Sequence, residues 1–210
     1  MNKLCILLDN GHGTRKYTKG KCSPDKKIYE GEWNREFVKL LRQELNRYHI
    51  DNIILVPEDE DISLADRVKR ANIYTRNLKA DGIDTLLISV HINAAKSDNK
   101  YHDARGWTVW LYTNASAKSR KAGQIFSANA KKMGLTGNRI LPLLGYYTAN
   151  FYILKNTVCA ACLCENLFMD NKEDEEFLLS EEGKKTLIQL YINSILEYMN
   201  AYSYDSYNGN

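Results

Sequence analysis

Four side chains stand where they could act together on an amide bond. His12 follows the apolar run Leu4–Leu8 and an Asp9-Asn10-Gly11 break, His91 follows the run from Thr85 to Val90, and Glu165 follows the run from Val158 to Cys164. Each run reads as a strand, so each of these residues stands at a strand's carboxyl end, where open α/β sheets place their ligands. Two imidazoles and one carboxylate suffice to hold Zn²⁺ in a catalytic geometry with a fourth position left for water. His12 and His91 are the nitrogen ligands in this reading. Glu30 and Glu32, at the start of a helical stretch, both qualify as the oxygen ligand; Asn34 lies one turn after Glu30 and could orient its carboxylate, which favours Glu30. Glu165 then supplies an uncoordinated carboxylate that can take a proton from attacking water and return it to a leaving amine. His49 ends a helix and His102 lies in a polar loop, so neither is assigned to the site.

The elements that must position these groups alternate. After the first strand, residues 10–29 form a polar Lys- and Gly-rich loop, long for a compact domain. Trp33, Phe37, Leu41, Leu45 and Tyr48 then recur at helical spacing, with acids early and Arg42 and Arg47 late. Asn52 to Val56 reads as a short strand closed by Pro57. Ser63-Leu64-Ala65-Asp66 resembles a capping box and predicts a helix with Leu64, Val68, Ala71, Tyr74 and Leu78 on its inner face, stopped by Asp81-Gly82. Thr85–Val90, without polar alternation, suits a strand buried on both faces. A strand over Gly106–Thr113 and a helix over Ser116–Met133 follow, and residues 134–157 read as loop with short strands. The run Glu173–Glu176 reads as a solvated acidic turn opening a helix, and a closing helix spans about Ser180–Met199. The expected fold is a single α/β domain, a largely parallel or mixed twisted sheet with helices on both faces, over residues 1–201. Residues 202–210 are expected to be a disordered tail.

Bulk properties narrow the function classes. The 210 residues are enough for one domain with a substantial core. Twenty-nine Lys and Arg against 26 Asp and Glu give a formal charge of +3, without the basic stripe of a nucleic-acid binder. No apolar run is long enough for a membrane span, and the first one meets Asp9 before it could serve as a signal h-region. The expectation is synthesis in the cytoplasm without a signal peptide. Five cysteines, three of them crowded at Cys159, Cys162 and Cys164, do not form a secreted disulfide pattern, and free, mostly buried thiols are expected. Cys159-Ala160-Ala161-Cys162 has redox-motif spacing but lies in a strand-like run, away from any helix start that would lower a thiol pKa.

The stretches Asp9-Asn10-Gly11-His12-Gly13, Glu30 with Asn34, Ser89-Val90-His91-Ile92-Asn93-Ala94 and Glu165-Asn166-Leu167-Phe168-Met169-Asp170-Asn171 resemble the ordered motifs of the zinc-dependent N-acetylmuramoyl-L-alanine amidases of the Amidase_3 type. The likeness runs to about residue 200. It implies one Zn²⁺ held by His12, Glu30 and His91, with Glu165 as the catalytic glutamate. It favours Glu30 over Glu32, because the family ligand lies four residues before the asparagine. The implied substrate is bacterial peptidoglycan, cut at the amide between N-acetylmuramic acid and L-alanine of the stem peptide. Without a leader, a phage-type endolysin, reaching the wall after release, is the expected setting. The chain departs from the family at Asn10, where proline is common, and at Val56-Pro57-Glu58, where a Thr-Arg pair is common. Two other readings compete: a non-catalytic wall-binding module on the same fold, and a zinc hydrolase of another amide, such as a carboxypeptidase. The aromatic loop with Tyr146, Tyr147, Phe151 and Tyr152 is a candidate binding groove and equally a candidate for ordinary packing.

Overall fold

The computed structural model describes residues 3–203. A six-stranded sheet runs in the order β2-β1-β3-β6-β4-β5, with β1 at Lys3–Asn10, β2 at Asp51–Ile54, β3 at Ile83–Asn93, β4 at Thr108–Leu111, β5 at Tyr147–Thr148 and β6 at Ala160–Phe168. All pairings are parallel except β4 with β6, so the sheet is mixed. The helices are α1 (Glu30–Arg47), α2 (Leu64–Ala80), α3 (Ala117–Lys132), α4 (Tyr152–Asn156), α5 (Lys172–Leu179) and α6 (Glu181–Ala201). The expected α/β architecture is therefore present.

Strand pleating divides the core. Leu4, Ile6 and Leu8 of β1 pack with residues of α1, α3 and α6 on one face, while Cys5 and Leu7 pack with Val68 and Ala71 of α2 and Ile153 and Leu154 of α4 on the other. The central strands β1, β3 and β6 are covered on both sides, which explains their unbroken apolar runs. On the first face Trp33 stacks on Phe37 at 4.9 Å, Phe37 meets Tyr191 edge-on at 5.1 Å, and the Trp33 indole donates to the Leu178 carbonyl.

Helix starts follow local chemistry. Ser63 accepts from the Asp66 N–H, Ser116 from that of Ser119, and Ser180 from that of Gly183, while Asn171 caps α5 through the Glu173 and Asp174 N–H groups. The N-cap half of the capping box expected at Ser63 is thus present, with the Ser63 hydroxyl donating to Asp66 Oδ2, and Gly82 follows the end of α2 with φ +74°.

Several details depart from the sequence expectations. Leu64 and Tyr74 are exposed, and α2 instead buries Arg67, Val68, Ala71 and Thr75. Its inner stripe is partly polar because Arg67 reaches the end of β1 and Thr75 hydrogen-bonds Thr85 of β3. Tyr48 is exposed at the C-cap of α1. The strand expected over Gly106–Thr113 is only four residues long, since Gly106 takes φ +112° against the 136–137 backbone. Asp174 and Glu175 are buried within α5 and not solvated: Asp174 accepts from the N–H groups of Gly106 and Phe168, and Glu175 from the Tyr101 hydroxyl. The five cysteines are free, Cys5, Cys162 and Cys164 buried and the others half-buried. Of the expected tail, residues 204–210 lie outside the described residues, while the Tyr202 ring packs on Tyr198 at 5.0 Å.

Phe37 is 1% exposed and joins α1 to α6. Phe37→Ala is expected to lower unfolding free energy by about 3–5 kcal/mol, read from a urea titration at constant m-value.

Candidate metal and catalytic site

His12, Glu30 and His91 converge although they are distant in sequence: one ligand-type atom from each lies within 4.8 Å of the others. Glu30 Oε2 is 3.4 Å from His12 Nε2, Glu30 Oε1 is 3.1 Å from His91 Nδ1, and the two rings meet edge to face at 5.2 Å. Tetrahedral bonds of about 2.0–2.1 Å put neighbouring ligand atoms roughly 3.3 Å apart, so the observed spacings and the N/N/O donor set fit a zinc-sized ion. His49 is not part of this cluster, and His102 pairs with Asp98 at 2.8 Å.

Each ligand has a separate structural cause. His12 lies just beyond β1 with φ +63°, which turns its ring back over the strand end. Gly11 is needed beside it, because a Cβ there would sit 2.1 Å from the His91 ring. Glu30 opens α1 and is fully enclosed; its Oε1 also accepts from the Ile92 N–H at 3.1 Å. Gly31 lets the first turn of α1 approach the His12–Gly13 loop, since a Cβ there would be 1.8 Å from the Gly13 carbonyl oxygen. Asn34 does not orient Glu30 as expected from their spacing: its amide donates to the Gly11 carbonyl at 3.1 Å and so fixes the loop that carries His12. Glu32 points away and forms a bidentate pair with Arg15 at 2.6 and 2.7 Å, which removes it as a ligand candidate.

His91 and Glu165 are register partners on neighbouring strands and not, as expected, the residues immediately after them. Beyond this pair the register slips: His91 faces Glu165 but Asn93 faces Phe168, with Leu167 at φ +65° in the bulge. The bulge lets both strands continue past the site. Asn166 fixes it, donating to the His91 carbonyl while accepting from the Trp107 indole and the Tyr191 hydroxyl.

Two buried arginines form a support that residue patterning did not reveal. Arg35 donates to the carbonyls of His12, Gly31, Glu58 and Glu60. Arg67 donates to Asp9 Oδ1 at 2.7 Å and to the carbonyls of Asn10, His12 and Ile62. Ser89 completes the environment of Asp9 at 2.6 Å. A charged residue on a helix resembles a solvated one in sequence; the available signal was Arg67 itself, on the otherwise inward stripe with Val68 and Ala71. A cavity of about 340 Å³ opens beside this support, between His12, His91, Asp61, Ser63 and Ile153.

The electrostatics of the cluster are set by burial and by the contact between Glu30 and His91. Burial disfavours charge on both Glu30 and His91, but their mutual hydrogen bond prevails, holding the Glu30 carboxyl below its ordinary range and the His91 imidazole above its own. Burial lowers His12, against the pull of Glu30. Burial pushes Glu165 up to about 7, against the His91 imidazole and with the Glu30 carboxylate adding to the rise. Its Oε2 is buried without a hydrogen-bond partner.

A mixed α/β sheet with His12, His91 and Glu165 at one rim, and Glu30 reaching them from α1, gives the chain a His–Glu–His cluster that could hold a metal ion. The N-acetylmuramoyl-L-alanine amidase family model matches residues 6–197, and the chain belongs to that family. It is 29% identical over 209 residues to the endolysin of Bacillus phage SPP1, covering 95% of this chain and 67% of the endolysin. It is 25% identical over 196 residues to the probable cell wall amidase LytH of Staphylococcus epidermidis, covering 93% of this chain but only 58% of LytH, so it spans little more than half of that relative. Among solved structures, the N-acetylmuramoyl-L-alanine amidase of Clostridium difficile 630 superposes with a TM-score of 0.78 at 24% identity, covering 96% of this chain and 99% of the other. That likeness bears out the fold.

Two outcomes test the site's construction. Glu165 gains a proton on folding between its ordinary value and about 7, so its burial becomes destabilising as pH rises through that window. In chelator, the melting temperature of Glu165→Gln relative to the parent is expected to be near zero at pH 5 and to become positive by pH 8, worth about 2–3 kcal/mol. Arg67→Met leaves Asp9 buried without its cation and the His12 carbonyl held by Arg35 alone; a loss of about 3–5 kcal/mol in stability and 10- to 100-fold in Zn²⁺ affinity is expected, read by denaturation and competitive chelation.

Proposed function

We propose that the chain is a zinc-dependent peptidoglycan amidase that cleaves the bond between N-acetylmuramic acid and L-alanine of the stem peptide. The observation that carries this reading is the His12–Glu30–His91 cluster beside the half-buried Glu165, whose Oε2 is enclosed without a partner, in a chain of the amidase family. His12, Glu30 and His91 would hold one Zn²⁺. When bound, the ion supplies a Lewis acid that polarises the scissile carbonyl and acidifies water.

The chain's own residues account for the rest. Glu165 Oε2 takes a proton as a water oxygen bonds to the carbonyl carbon, then delivers that proton to the alanine nitrogen as the C–N bond breaks. The products are a free lactyl carboxyl on the sugar and a peptide with a free amino terminus. A carboxyl near neutrality can do both halves, since neither proton transfer is strongly uphill. Glu30 is anchored at Ile92 and cannot swing into this role. Residues up to about 201 constitute the catalytic domain, and the setting is that of an endolysin-like enzyme acting on the cell wall, as suggested by the phage and staphylococcal relatives.

Purified peptidoglycan digested with the protein should release intact L-Ala-containing stem peptides and unmodified glycan by mass spectrometry. Chelator should stop release and Zn²⁺ restore it. Glu165→Gln should bind one Zn²⁺ as the parent does while losing about 10²- to 10⁴-fold in turnover. Normal turnover in that variant would remove Glu165 from the mechanism, loss of only a terminal amino acid would identify a carboxypeptidase, and wall binding without released products would identify a binding module.

A further inference from the structure

The basic and acidic residues, interspersed when the chain is counted as a whole, are segregated along it. Residues 104–164 contain no Asp or Glu and eight Lys or Arg: Arg105, Lys118, Arg120, Lys121, Lys131, Lys132, Arg139 and Lys155. All 26 acids lie elsewhere. Arg105 and Lys118 are neutralised from outside the segment, by Glu173 and Asp84. Lys121, Lys131 and Lys132 are exposed and have no ion-pair partner among the described residues. With Arg120 they occupy the outer face of α3, between Gln124 and Ala128, so the solvated side of this helix carries positive charge alone.

An apolar projection stands beside that face. Leu143 is 103% exposed, Ile140 91% and Leu144 56%. They belong to a turn closed by the Gly145 N–H to the Pro142 carbonyl, with two leucines at the central positions where polar residues are the rule. The base of the loop is fixed: Leu135 accepts from the Trp107 N–H, the Asn138 amide donates to the Asp103 carbonyl, and the Tyr147 hydroxyl donates to the Ile140 carbonyl. At its far end a Cβ on Gly145 would lie 3.1 Å from Ser127 Oγ, so the turn rests on α3 one helical turn from Lys131. A rigid base therefore holds three aliphatic side chains out in water next to unpaired lysines.

From this juxtaposition we infer that the 139–145 turn and the outer face of α3 form a docking surface for an anionic lipid bilayer. Ile140, Leu143 and Leu144 enter the acyl boundary while Lys121, Lys131 and Lys132 meet acidic headgroups. Charge complementarity selects an anionic partner, and the aliphatic tip selects lipid, because a polar glycan-peptide mesh offers those side chains nothing to be buried in. This contact is interfacial; among the described residues no helix is long and apolar enough to cross a membrane.

Sedimentation of the full chain with vesicles tests this. Binding is expected to vesicles of phosphatidylglycerol mixed with phosphatidylcholine, to weaken with salt, and to be at least tenfold weaker to phosphatidylcholine alone. The triple variant Ile140→Ser/Leu143→Ser/Leu144→Ser should lose about tenfold or more in partitioning, and Lys131→Glu/Lys132→Glu a comparable amount. Both should keep the parent's far-ultraviolet circular dichroism and its hydrolysis of soluble muropeptides. No partitioning of the parent, equal binding to neutral vesicles, or undiminished binding by the triple variant would overturn the proposal. So would a concentration-dependent dimer abolished by the triple variant without vesicle binding, which would make the tip a contact between copies, or a triple variant that loses only pelleting with lipid-free cell wall.

Discussion

The rim where His12, Glu30 and His91 meet depends on one backbone carbonyl, that of His12. The residue takes φ +63°, a conformation that costs a non-glycine side chain about 1–3 kcal/mol unless its surroundings impose it. Here they do: Arg35 Nη1 reaches the carbonyl at 2.7 Å and Arg67 Nη2 at 3.3 Å. Arg35 lies on α1 little more than a turn after Glu30, so one helix supplies both the Glu30 carboxylate and the clamp on the His12 backbone. Arg67 joins the same point from α2. Two guanidiniums this close repel, and Arg35 is held below its ordinary range by burial and by Arg67. Asp9, paired with Arg67, and the ring of carbonyls from residues 58–62 offset that repulsion. The loop after β2, where the chain departs from the family's usual Thr-Arg pair, therefore helps to hold His12.

The other half of the site is fixed by strand register. The bulge between β3 and β6 keeps His91 and Glu165 side by side while the strands run on, and Asn166 uses its amide and carbonyl at once to hold both strands to α6. Glu165 is left without a partner in an enclosed place, a disfavoured arrangement for a carboxylate. A donor to Oε2 would stabilise the protein and pull the carboxyl back toward its ordinary range, so the rise to about 7 depends on that atom's having no partner.

The sheet was legible because it depends on period and punctuation: apolar runs ending in a site-type residue mark a rim, and the rim is where the structure brings His12 and His91 together. What pattern could not show was the role of polar residues in the interior. Asn34 lies at helical spacing from Glu30 but binds Gly11, because the Gly11–Gly13 loop folds back over the first turn of α1. Arg67 sits on a stripe otherwise apolar, while Leu64 and Tyr74, which fit that stripe by hydropathy, face solvent. The acidic run opening α5 is half buried because Gly106 and Phe168 present unpaired N–H groups to Asp174. Each failure arises where a tertiary hydrogen bond outweighs local hydropathy.

The change of strand direction at β4 separates two chemistries. His12, His91 and Glu165 lie on or beside the parallel strands β1, β3 and β6, where the Asp9 carboxylate balances Arg67. Beyond β6 the antiparallel edge of the sheet and α3 carry no carboxylate at all. Acids there would cancel the exposed lysines of α3. Although α3 packs on the same sheet face as α1, whose first turn carries Glu30, its outer side therefore keeps a positive charge on a chain whose formal charge is only +3.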